Sequence, residues 1–519
     1  MLKACLAIVM LLLAATGYFL LRGSSDAAPL PSVAVPEPEK SPLPAGSDTV
    51  HEFCGRCHAY PSADSFPKAL WPFEVRRAYD FFRDSKYRAD APDFESVVEY
   101  YVSRAPKELP PAQKCPAASD SFPVQFSKLN WAPPGGPSVA TVTNVHLAPL
   151  FSNALDLIVC HHQPGGVWAV KPYEEPPSWH LLADVLVPCH VEVVDLDGDG
   201  IKDLLVADLG SLYPTNDSTG RVIWLRGDKT GRFTPITLLD GVGRVTDVRA
   251  ADFNGDGKLD LVVAVFGWQK GEILYLENNT TDWAQPSFVR RTLDDRSGTI
   301  HVEIGDINRD GHPDIVAVLS QEHETVVSFL GDGKGGFTRK TIYDAPHPAY
   351  GSSGIQLVDM DGDGDLDVLY TNGDSLDPPA LLKPYHGIQW LENRGNFPFV
   401  HHPITAQYGA MRAVAADLTG DGKRDIVSVA FIPPRIHTEA QVVGAEAVQI
   451  IRQVAPGKFE RHVLASADWS HFTCTAGDLF GDGRAHIVVG NYFMAPERGH
   501  SGLLTVWKNL GPGPAKKSP

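Results

Sequence analysis

One motif recurs through most of this chain and limits its possible folds more than any other feature. It reads D-x-[DN]-x-D-G-x-x-D and runs directly into a short aliphatic segment, as at Asp195–Asp203, which precedes Leu-Leu-Val-Ala. The first aspartates of successive copies are separated by 57, 54, 53, 58 and 61 residues. A period near 50 residues indicates a repeat architecture in which each copy is one structural unit. We therefore expect most of the chain to be built from similar repeated units.

Five copies are complete or nearly so, and two more are degraded. In one degraded copy the equivalent residues are Asp478, Phe480, Asp482 and His486. The other keeps only the closing Asp156 and its aliphatic run, so the total is seven repeats. The polar residues of the five better copies, at loop positions 1, 3, 5 and 9, are Asp195, Asp197, Asp199, Asp203, Asp252, Asn254, Asp256, Asp260, Asp306, Asn308, Asp310, Asp314, Asp359, Asp361, Asp363, Asp367, Asp417, Asp421 and Asp425, with Thr419 at position 3 of the fifth copy.

These loops present oxygen ligands at a spacing that suits a hard cation. The four side chains, a carbonyl near position 7 and a glycine at position 6 provide the oxygens and the sharp turn that calcium sites use. The loops are not EF-hands, because no Glu stands at position 12 and predicted strands flank them. Closely spaced carboxylates repel one another without a cation, so we expect about four to five Ca²⁺ ions. The Thr419 loop is the weakest of these sites, and the Phe480/His486 loop is expected to bind none.

Each repeat also contains four segments with the alternation and turn residues of strands. Four strands per repeat predict one blade of a β-propeller. The last repeat lacks its fourth strand after Gly502–Asn509, and Ser121–Trp131 has the pattern to replace it. The chain is thus expected to be mainly β, with a seven-bladed propeller over residues 119–511 that is closed by its own ends. The repeats resemble FG-GAP/VCBS repeats, which implies an integrin-type propeller over about Phe122–Leu510.

A different motif precedes the repeats. Cys54-Gly55-Arg56-Cys57-His58 reads C-x-x-C-H, in which two thiols one helical turn apart can form thioethers with haem and the imidazole can ligate the iron. A zinc site would need a second Cys or His pair nearby, and a thiol redox pair would not need the histidine. The segment resembles a class I cytochrome c domain. This resemblance implies one covalent haem c, with Cys54 and Cys57 as attachment residues and His58 as proximal ligand.

The expected haem domain is small and all-α, over residues 49–118. Apolar spacing predicts helices over Ala69–Phe82 and Phe94–Ser103. The domain departs from the family pattern because the five methionines, Met1, Met10, Met360, Met411 and Met494, all lie outside it. The sixth iron ligand is left open between His51, a lysine such as Lys68 or Lys86, Tyr79, a residue from elsewhere in the chain, and none.

The N-terminal residues predict export. Lys3 precedes an apolar run from Ala4 to Leu21, which as a helix is long enough to cross a bilayer core. Residues 1–23 are expected to be an uncleaved signal anchor or a cleaved signal peptide, residues 24–48 a proline-rich linker and residues 512–519 a disordered tail. The expected location is the cell envelope, on its periplasmic or extracellular side, with the N-terminal segment in the membrane.

Topology predicts a second polar surface on the propeller face opposite the acidic loops. His190, Asp247, His301 and Arg412 each stand five residues before the first Asp of a loop, and His471 lies near the same point of the last repeat. We expect either a ligand site or a docking surface for the haem domain there, the alternative being a water-filled channel mouth. Cys160 and Cys189 map to the same face and could form a disulfide.

The net charge of the chain and its motifs restrict the classes of function that we expect. The formal net charge of −18 disfavours nucleic acid as a partner. The C-x-x-C-H motif favours electron transfer, with a redox partner protein or a small-molecule substrate at the propeller. The alternatives are a haem-dependent oxidoreductase with its substrate on the histidine-rich face, and a calcium-dependent adhesion or ligand-binding propeller. Whether the protein is an enzyme is left open.

Overall fold

The computed structural model describes residues 47–56, 58–84, 91–118, 122–137, 139–377, 379–493 and 502–512. The expected signal or anchor, nearly all of the linker, Cys57 and Lys86 lie outside the described residues. The chain divides into Met1–Pro44 and Ala45–Pro519, and every described residue belongs to the second unit. Among the described residues, no helix is both long enough and apolar enough to cross a membrane.

The first part of the described chain is helical, and we call residues 47–105 the helical domain. Its α-helices are α1 (Ser47–Cys54), α2 (Trp71–Asp84) and α3 (Phe94–Arg104), with 3₁₀ turns at Ala63–Ser65 and Lys68–Leu70. The Asp93 carboxylate caps α3 by accepting a 3.0 Å hydrogen bond from the Ser96 N–H. Trp71 stacks on Tyr101 with ring centroids 3.8 Å apart, at the centre of a small apolar core.

The described remainder forms seven four-stranded antiparallel sheets, which confirms the predicted seven-bladed propeller. The strands of blades I to III are β2 (Val142–Ala148), β3 (Asp156–His161), β4 (Gly166–Lys171), β5 (Ser178–Ala183), β6 (Pro188–Val194), β7 (Asp203–Asp208), β8 (Gly220–Gly227), β9 (Phe233–Val242), β10 (Val245–Ala251), β11 (Asp260–Val265), β12 (Glu272–Asn278) and β13 (Phe288–Asp294).

Blades IV to VI follow the same order. Their strands are β14 (Thr299–Gly305), β15 (Asp314–Leu319), β16 (Thr325–Gly331), β17 (Phe337–Asp344), β18 (Ser352–Val358), β19 (Asp367–Asn372), β20 (Gly387–Glu392), β21 (Val400–Ala406), β22 (Ala410–Ala416), β23 (Asp425–Ala430), β24 (Val448–Ala455) and β25 (Lys458–Ala465). A 3₁₀ turn (Pro434–Ile436) and the short helix α4 (His437–Val442) lie between β23 and β24.

Blade VII is assembled from both ends of the described chain. It contains β26 (His471–Gly477), β27 (His486–Asn491) and β28 (Leu504–Pro512), and its fourth strand is β1 (Val124–Trp131). β1 pairs with β28 in antiparallel register, from Trp131 opposite Leu504 to Val124 opposite Pro512. The expected replacement strand is therefore present, and it gives the last blade four strands.

The aliphatic run after each acidic loop forms the second strand of its blade. In all seven described blades every residue of that strand is buried, as in β11 and β15, because the strand is covered by the neighbouring blades on both sides. A strand buried on both faces reads as a continuous apolar run rather than an alternating one. The first strands instead contain both buried and partly buried residues.

The segment that joins the helical domain to the propeller is held against blades V and VI. The Ala406 N–H donates to the Gln113 carbonyl at 2.8 Å, and the Lys114 ammonium lies 2.6 Å from the Glu446 carboxylate. Arg461 donates from its backbone to Pro116 and from its side chain to the Cys115 carbonyl. The segment between the helical domain and the propeller is therefore fixed to blades V and VI by hydrogen bonds and an ion pair.

The disulfide that the sequence permitted between Cys160 and Cys189 is not formed, and both residues are free thiols. Cys160 is in blade I. The Cys189 thiol lies 3.1 Å from the Val245 carbonyl and so points to blade III, on the other side. Cys115 and Cys474 are free as well.

Candidate functional site

Two positions of the first strand of each blade supply polar residues to the channel. In each described blade the pairing register shifts between the first and third residues of this strand, and such a bulge re-aims the third side chain. The third residues are Asn144, His190, Asp247, His301, Gly354, Arg412 and Thr473. Side chains two residues apart share a face of a strand, so the fifth residues form a second ring: His146, Glu192, Arg249, Glu303, Gln356, Val414 and Thr475.

Asp247 is the centre of a buried cluster that joins three blades. Its Oδ1 lies 2.8 Å from His190 Nδ1, and its Oδ2 lies 3.3 Å from His301 Nδ1 and accepts from the Val302 N–H at 3.1 Å. Arg249 Nε is 3.4 Å from Oδ1. Burial alone would raise the pKa of Asp247, but His190 and Arg249 hold that pKa well below its ordinary value. The carboxylate is therefore charged at neutral pH.

The cluster continues across the channel from blade III to blade VI. The Glu303 carboxylate lies 3.3 Å from Arg249 and 3.9 Å from Arg412, so it stands between two guanidinium groups. Arg412 also donates to the Ile355 carbonyl at 2.7 Å. Its path passes over Gly354, where an added Cβ would lie 3.3 Å from Arg412 Nη1. The absence of a side chain at Gly354 thus gives Arg412 the room to reach across blade V.

The imidazoles of the channel are neutral at physiological pH. Burial lowers the pKa of His146 to about 3, and burial also lowers the pKa values of His190 and His301. Burial raises the pKa of Glu192 to about 7, against the opposing charge of Arg249. The channel therefore offers neutral imidazole donors and acceptors beside a carboxyl group that titrates near neutrality. Such a set can hydrogen-bond a small polar ligand and exchange a proton with it.

The structure brings together four of the five residues predicted for this face. His190, Asp247, His301 and Arg412 belong to one connected cluster. His471 opens β26, and the residue of its blade at the ring position is Thr473. Sequence reasoning missed the second ring, although the alternation of strand side chains was the signal that could have found it.

The helical domain packs on the same face of the propeller. The propeller residues that contact it include Ala349, before β18, and Asp377, Leu381 and Tyr385, between β19 and β20. Tyr385 donates to the Ser65 carbonyl at 3.1 Å, and Arg77 lies 3.7 Å from Asp377. Ala349 and Leu381 pack against the apolar core of the helical domain. The face that carries the polar rings is thus also the face that holds the helical domain.

The described residues of the C-x-x-C-H motif lie at the end of α1. Cys54 is the last residue of the helix, is half-buried beside Tyr101, and has a pKa raised by that burial. The Gly55 N–H donates to the His51 carbonyl oxygen at 2.9 Å, at the end of the helix. A Cβ added at Gly55 would lie only 2.9 Å from the same oxygen, so a larger residue would crowd this turn. His58 Nδ1 lies 2.8 Å from the Ala59 carbonyl, so this nitrogen carries the proton and Nε2 keeps its lone pair.

The candidates for a sixth ligand within the helical domain make other contacts. His51 Nε2 lies 2.9 Å from the Tyr100 hydroxyl, and its ring stacks on Tyr60 at 3.9 Å. The Tyr79 hydroxyl donates to the Pro92 carbonyl at 2.7 Å. Lys68 lies in a 3₁₀ turn.

The acidic loops have a common hydrogen-bonded frame. The first Asp accepts from the backbone N–H of the position-6 glycine, as in Asp195 with Gly200 at 3.0 Å. Side-chain oxygens of Asp195, Asp197 and Asp199 lie within 4.8 Å of one another, and so do those of Asp359, Asp361 and Asp367. In the other three complete loops the described carboxylates do not gather this closely, and those loops have Asn254, Asn308 and Thr419 at position 3.

The position-9 aspartates also connect strands. Asp203 accepts from the Leu196 N–H at 3.0 Å and from the Gly227 N–H, at the end of the third strand, at 2.8 Å. The same two hydrogen bonds, one from the loop and one from the end of the third strand, are made by Asp260, Asp314 and Asp367. Asp425 accepts the corresponding bond from the Gln453 N–H of its third strand. These residues have a structural role in addition to any bound cation.

The degraded loop of blade VII is neutralised by its own residues. His486 Nδ1 accepts from the Asn509 N–H at 2.9 Å, the bond that the position-9 Asp makes in other blades. Its Nε2 must then carry the proton, and it lies 3.0 Å from Asp482 Oδ1. Arg484 contacts the other Asp482 oxygen at 2.6 Å. Ligand atoms of Asp478, Asp482 and His486 also lie within 4.8 Å of one another, but a protonated nitrogen and a guanidinium both contact the Asp482 carboxylate.

Comparison with known proteins supports the propeller. A family model described as FG-GAP-like repeat matches residues 195–263 and 306–370. Integrin alpha-6 of Homo sapiens is 28% identical over 219 residues, which are 39% of this chain and 19% of the integrin, so the match spans less than a fifth of that relative. A crystal structure of BBS1N in complex with ARL6DN, soaked with lead, aligns over 74% of this chain and 97% of that chain, with 10% identity and a TM-score of 0.44. The repeat and integrin matches support an integrin-type β-propeller.

Proposed function

We propose that this protein is an exported c-type haem protein that transfers electrons, and that its propeller binds the redox partner or substrate. The helical domain carries the haem and the polar face of the propeller receives the second molecule. When bound, haem supplies a one-electron iron couple. Because the helical domain packs on the face that carries the channel rings, a ligand at the channel mouth would lie on the same side of the ring as the haem.

The orientation of His58 is the observation that carries this proposal. A hydrogen bond from Nδ1 to a backbone carbonyl fixes the ring and leaves Nε2 as a ligand, which is the usual arrangement of metal-bound histidines. Cys54 lies four residues earlier, at the end of α1, beside an aromatic core that suits a porphyrin edge. The donor set therefore fits covalent haem, with Cys54 and Cys57 as the attachment residues.

We propose calcium in the acidic loops as part of the same function. The convergent carboxylates of Asp195, Asp197 and Asp199 and of Asp359, Asp361 and Asp367 support two sites most strongly. Asp195 Oδ1 is buried and accepts no hydrogen bond from the described residues, which leaves it available to a cation. Bound calcium would neutralise the repulsion within each loop and stiffen the turn between the first two strands.

The proposed location is the cell envelope, on its periplasmic or extracellular side. The support is the apolar run from Ala4 to Leu21 behind Lys3. A haem that is attached through thioethers also requires a compartment with a dedicated attachment system. Retention of residues 1–23 would keep the protein on the membrane.

The decisive experiment is expression with a c-type haem maturation system, followed by the alkaline pyridine haemochrome assay. We expect one haem per chain that survives denaturing electrophoresis. The double variant Cys54→Ala/Cys57→Ala should lose the covalent attachment, while Cys115→Ala, at a free thiol outside the motif, should keep it. A wild-type chain without haem after this expression would contradict the proposal.

The buried channel cluster favours a second candidate, a calcium-dependent ligand-binding or adhesion propeller in which haem is accessory. Asp247, Glu303 and Arg249 form a preorganised polar site, as small-ligand pockets do.

The same site could instead serve a haem-dependent oxidoreductase. In that case an added substrate reduces the haem, and Arg412→Ala weakens that reduction. If the propeller only binds, ligand affinity is the same in the oxidised and reduced protein.

A further inference from the structure

Asp247 fixes the orientation of two imidazoles in the channel. Its charged carboxylate lies 2.8 Å from His190 Nδ1 and 3.3 Å from His301 Nδ1. A nitrogen this close to a charged carboxylate carries the proton, because a lone pair there would be repelled. In a neutral imidazole the other nitrogen then has no proton. The Nε2 atoms of His190 and His301 are therefore both hydrogen-bond acceptors, held in place by one buried carboxylate.

These two acceptor atoms are not used within the described part of the protein. Among the described residues, no hydrogen bond reaches Nε2 of His190 or of His301, and neither atom is among the buried polar atoms that lack a partner. The side chain of His301 is 18% exposed, whereas that of Asp247 is 0% exposed. A molecule in the channel would therefore meet the imidazoles rather than the carboxylate that orients them.

The guanidiniums of Arg249 and Arg412 supply donors beside these acceptors. Arg249 Nε and His190 Nδ1 both contact Oδ1 of Asp247, at 3.4 and 2.8 Å. Arg412 donates through Nη1 to the Ile355 carbonyl at 2.7 Å. A guanidinium has more N–H groups than these contacts use, and the two arginine side chains are 14% and 17% exposed. The channel thus offers lone pairs and N–H donors next to one another.

The charges within this cluster nearly cancel. The two carboxylates of Asp247 and Glu303 stand against the two guanidiniums of Arg249 and Arg412. The channel imidazoles are neutral because burial lowers their pKa values. Burial raises the pKa of Glu192 to about 7, so this carboxyl group adds only part of a negative charge. A charged ligand would find each opposite charge already paired, and a neutral ligand with several polar groups fits better.

An aromatic cluster adjoins this polar surface at blades VI and VII. Phe431 stacks on Phe472 with ring centroids 4.2 Å apart, and Phe472 meets Tyr492 edge-on at 4.7 Å. Met411 packs in the same cluster and directly precedes Arg412 in the chain. Phe472 is only partly buried. Small-ligand sites combine such aromatic surface with a few placed polar groups, and a sugar ring presents both C–H and hydroxyl groups to them.

We propose that the propeller channel binds a neutral polyhydroxylated molecule, a sugar or a polyol, whose hydroxyl groups donate to Nε2 of His190 and His301 and accept from Arg412. A hydroxyl group both donates and accepts, so it suits an imidazole lone pair beside a guanidinium. This inference rests on the proposed function, because it names the class of small molecule that the propeller receives. A metal ion is less suited, since groups of three or more ligand atoms within 4.8 Å occur, among the described residues, in the acidic loops of blades II, V and VII.

Isothermal titration calorimetry of the full chain, matured with haem and loaded with calcium, tests this inference. The probes are glucose, N-acetylglucosamine, xylose and myo-inositol, and the charged controls are citrate and choline. We expect at least one neutral probe to bind as one molecule per chain, and neither charged molecule to bind. The inference is wrong if no neutral probe binds, or if citrate or choline binds in their place.

Substitutions place the bound molecule in the channel. His301→Ala removes one of the two acceptors and should weaken binding about tenfold, the loss expected for one hydrogen bond. Arg412→Ala, a second variant, should weaken it as well. His180→Ala is the matched control, at an exposed imidazole of β5, and should bind as the wild type does. If His301→Ala and Arg412→Ala have native circular dichroism spectra and wild-type affinity, the site lies elsewhere and the inference fails.

Two further measurements separate this inference from its alternatives. Zn²⁺ that binds the wild type but not His301→Ala, without binding of any neutral probe, would identify a metal site and overturn the inference. Haem content is measured on the same samples by the pyridine haemochrome assay. A chain that holds haem but binds no probe overturns this inference alone, and a chain that binds a sugar without haem overturns only the proposed electron transfer.

Discussion

Asp247 connects blades II, III and IV through contacts with His190, Arg249 and His301. It is a buried charge whose desolvation cost is offset by these partners and by the Val302 N–H. Removing one charged member of such a cluster leaves the opposite charges buried without a counter-charge. Single substitutions in a buried ionic cluster are therefore strongly destabilising.

We expect Asp247→Asn to destabilise the propeller by about 3–5 kcal/mol, because the guanidinium of Arg249 would lose a buried counter-charge. Urea unfolding followed by tryptophan fluorescence measures the change. The control is Asp240→Asn, at an exposed position of β9, for which a change within about 0.5 kcal/mol is expected. Equal effects of the two substitutions would contradict the assigned role of Asp247.

Glu192 should give the stability of the protein a defined pH dependence. Its pKa is raised from 4.5 to about 7 in the folded state, where Arg249, Asp247 and Glu303 surround it. Between these pH values the folded chain holds a proton that the unfolded chain has released, so this group's contribution to stability falls as pH rises through the window. The slope is at most about 1.4 kcal/mol per pH unit.

Glu192→Gln should remove this component. Denaturant midpoints measured below, within and above the window test the expectation, with Glu439→Gln at an exposed position of α4 as the control. If the variant keeps the wild-type slope, Glu192 is not the group that titrates.

Single residues also mark the limit of what the sequence predicts. His190 and Asp247 were placed on one face by their distance from the acidic loops, and they do form one cluster. Strand alternation could have placed Glu303 in the channel, but not its pairing with Arg412, which skips a blade and which the glycine at position 354 permits. Contacts across a ring depend on its curvature and closure, which no local pattern encodes.

The acidic loops are the elements whose function is easiest to isolate. If they bind calcium, a chelator should lower the melting temperature, and elemental analysis should find several ions per chain. We expect Asp197→Asn to remove about one ion and to lower the melting temperature in calcium, because the site loses one of three convergent carboxylates.

Blade VII provides the matched control for this experiment. Asp482→Asn alters the equivalent loop, where Arg484 and His486 already occupy the carboxylate, so the calcium count should not change. A lower count in Asp482→Asn, or an unchanged count in Asp197→Asn, would contradict the assignment of these loops.

The strands were predictable because each blade repeats the same local signals. The aliphatic runs became the buried second strands, and Ser121–Trp131 contains the closing strand. The structural role of the position-9 aspartate was not predictable in the same way. Its bond to the third strand, as between Asp203 and Gly227, joins residues that no spacing rule connects.

The whole ring depends on the pairing of β1 with β28. Leu129 of β1 packs against an apolar cluster shared by blades VII and I. We expect Leu129→Ala to lower the free energy of unfolding by about 1–2 kcal/mol in a single transition, since half-buried apolar area is lost at the closure. Thermal unfolding measures this, with Gln125→Ala as the control at the exposed bulge of β1. A control that destabilises as much as Leu129→Ala would exclude a special role of the closure.

The packing of the helical domain on the propeller was foreseen only as one of two options for the polar face. Its contacts involve a tyrosine hydroxyl with a backbone carbonyl, Tyr385 with Ser65, and small apolar residues such as Ala349. None of these residues stands out in the sequence. Surfaces that fit one another by shape leave few traces in composition.

The closing strand also imposes an order on synthesis. β1 leaves the ribosome early, whereas β28, its partner, is among the last described elements to be made. Until then the nascent chain carries an unpaired edge that could associate with other chains. The ring can therefore close only after the final blade has been made, and until then β1 is without its native partner strand.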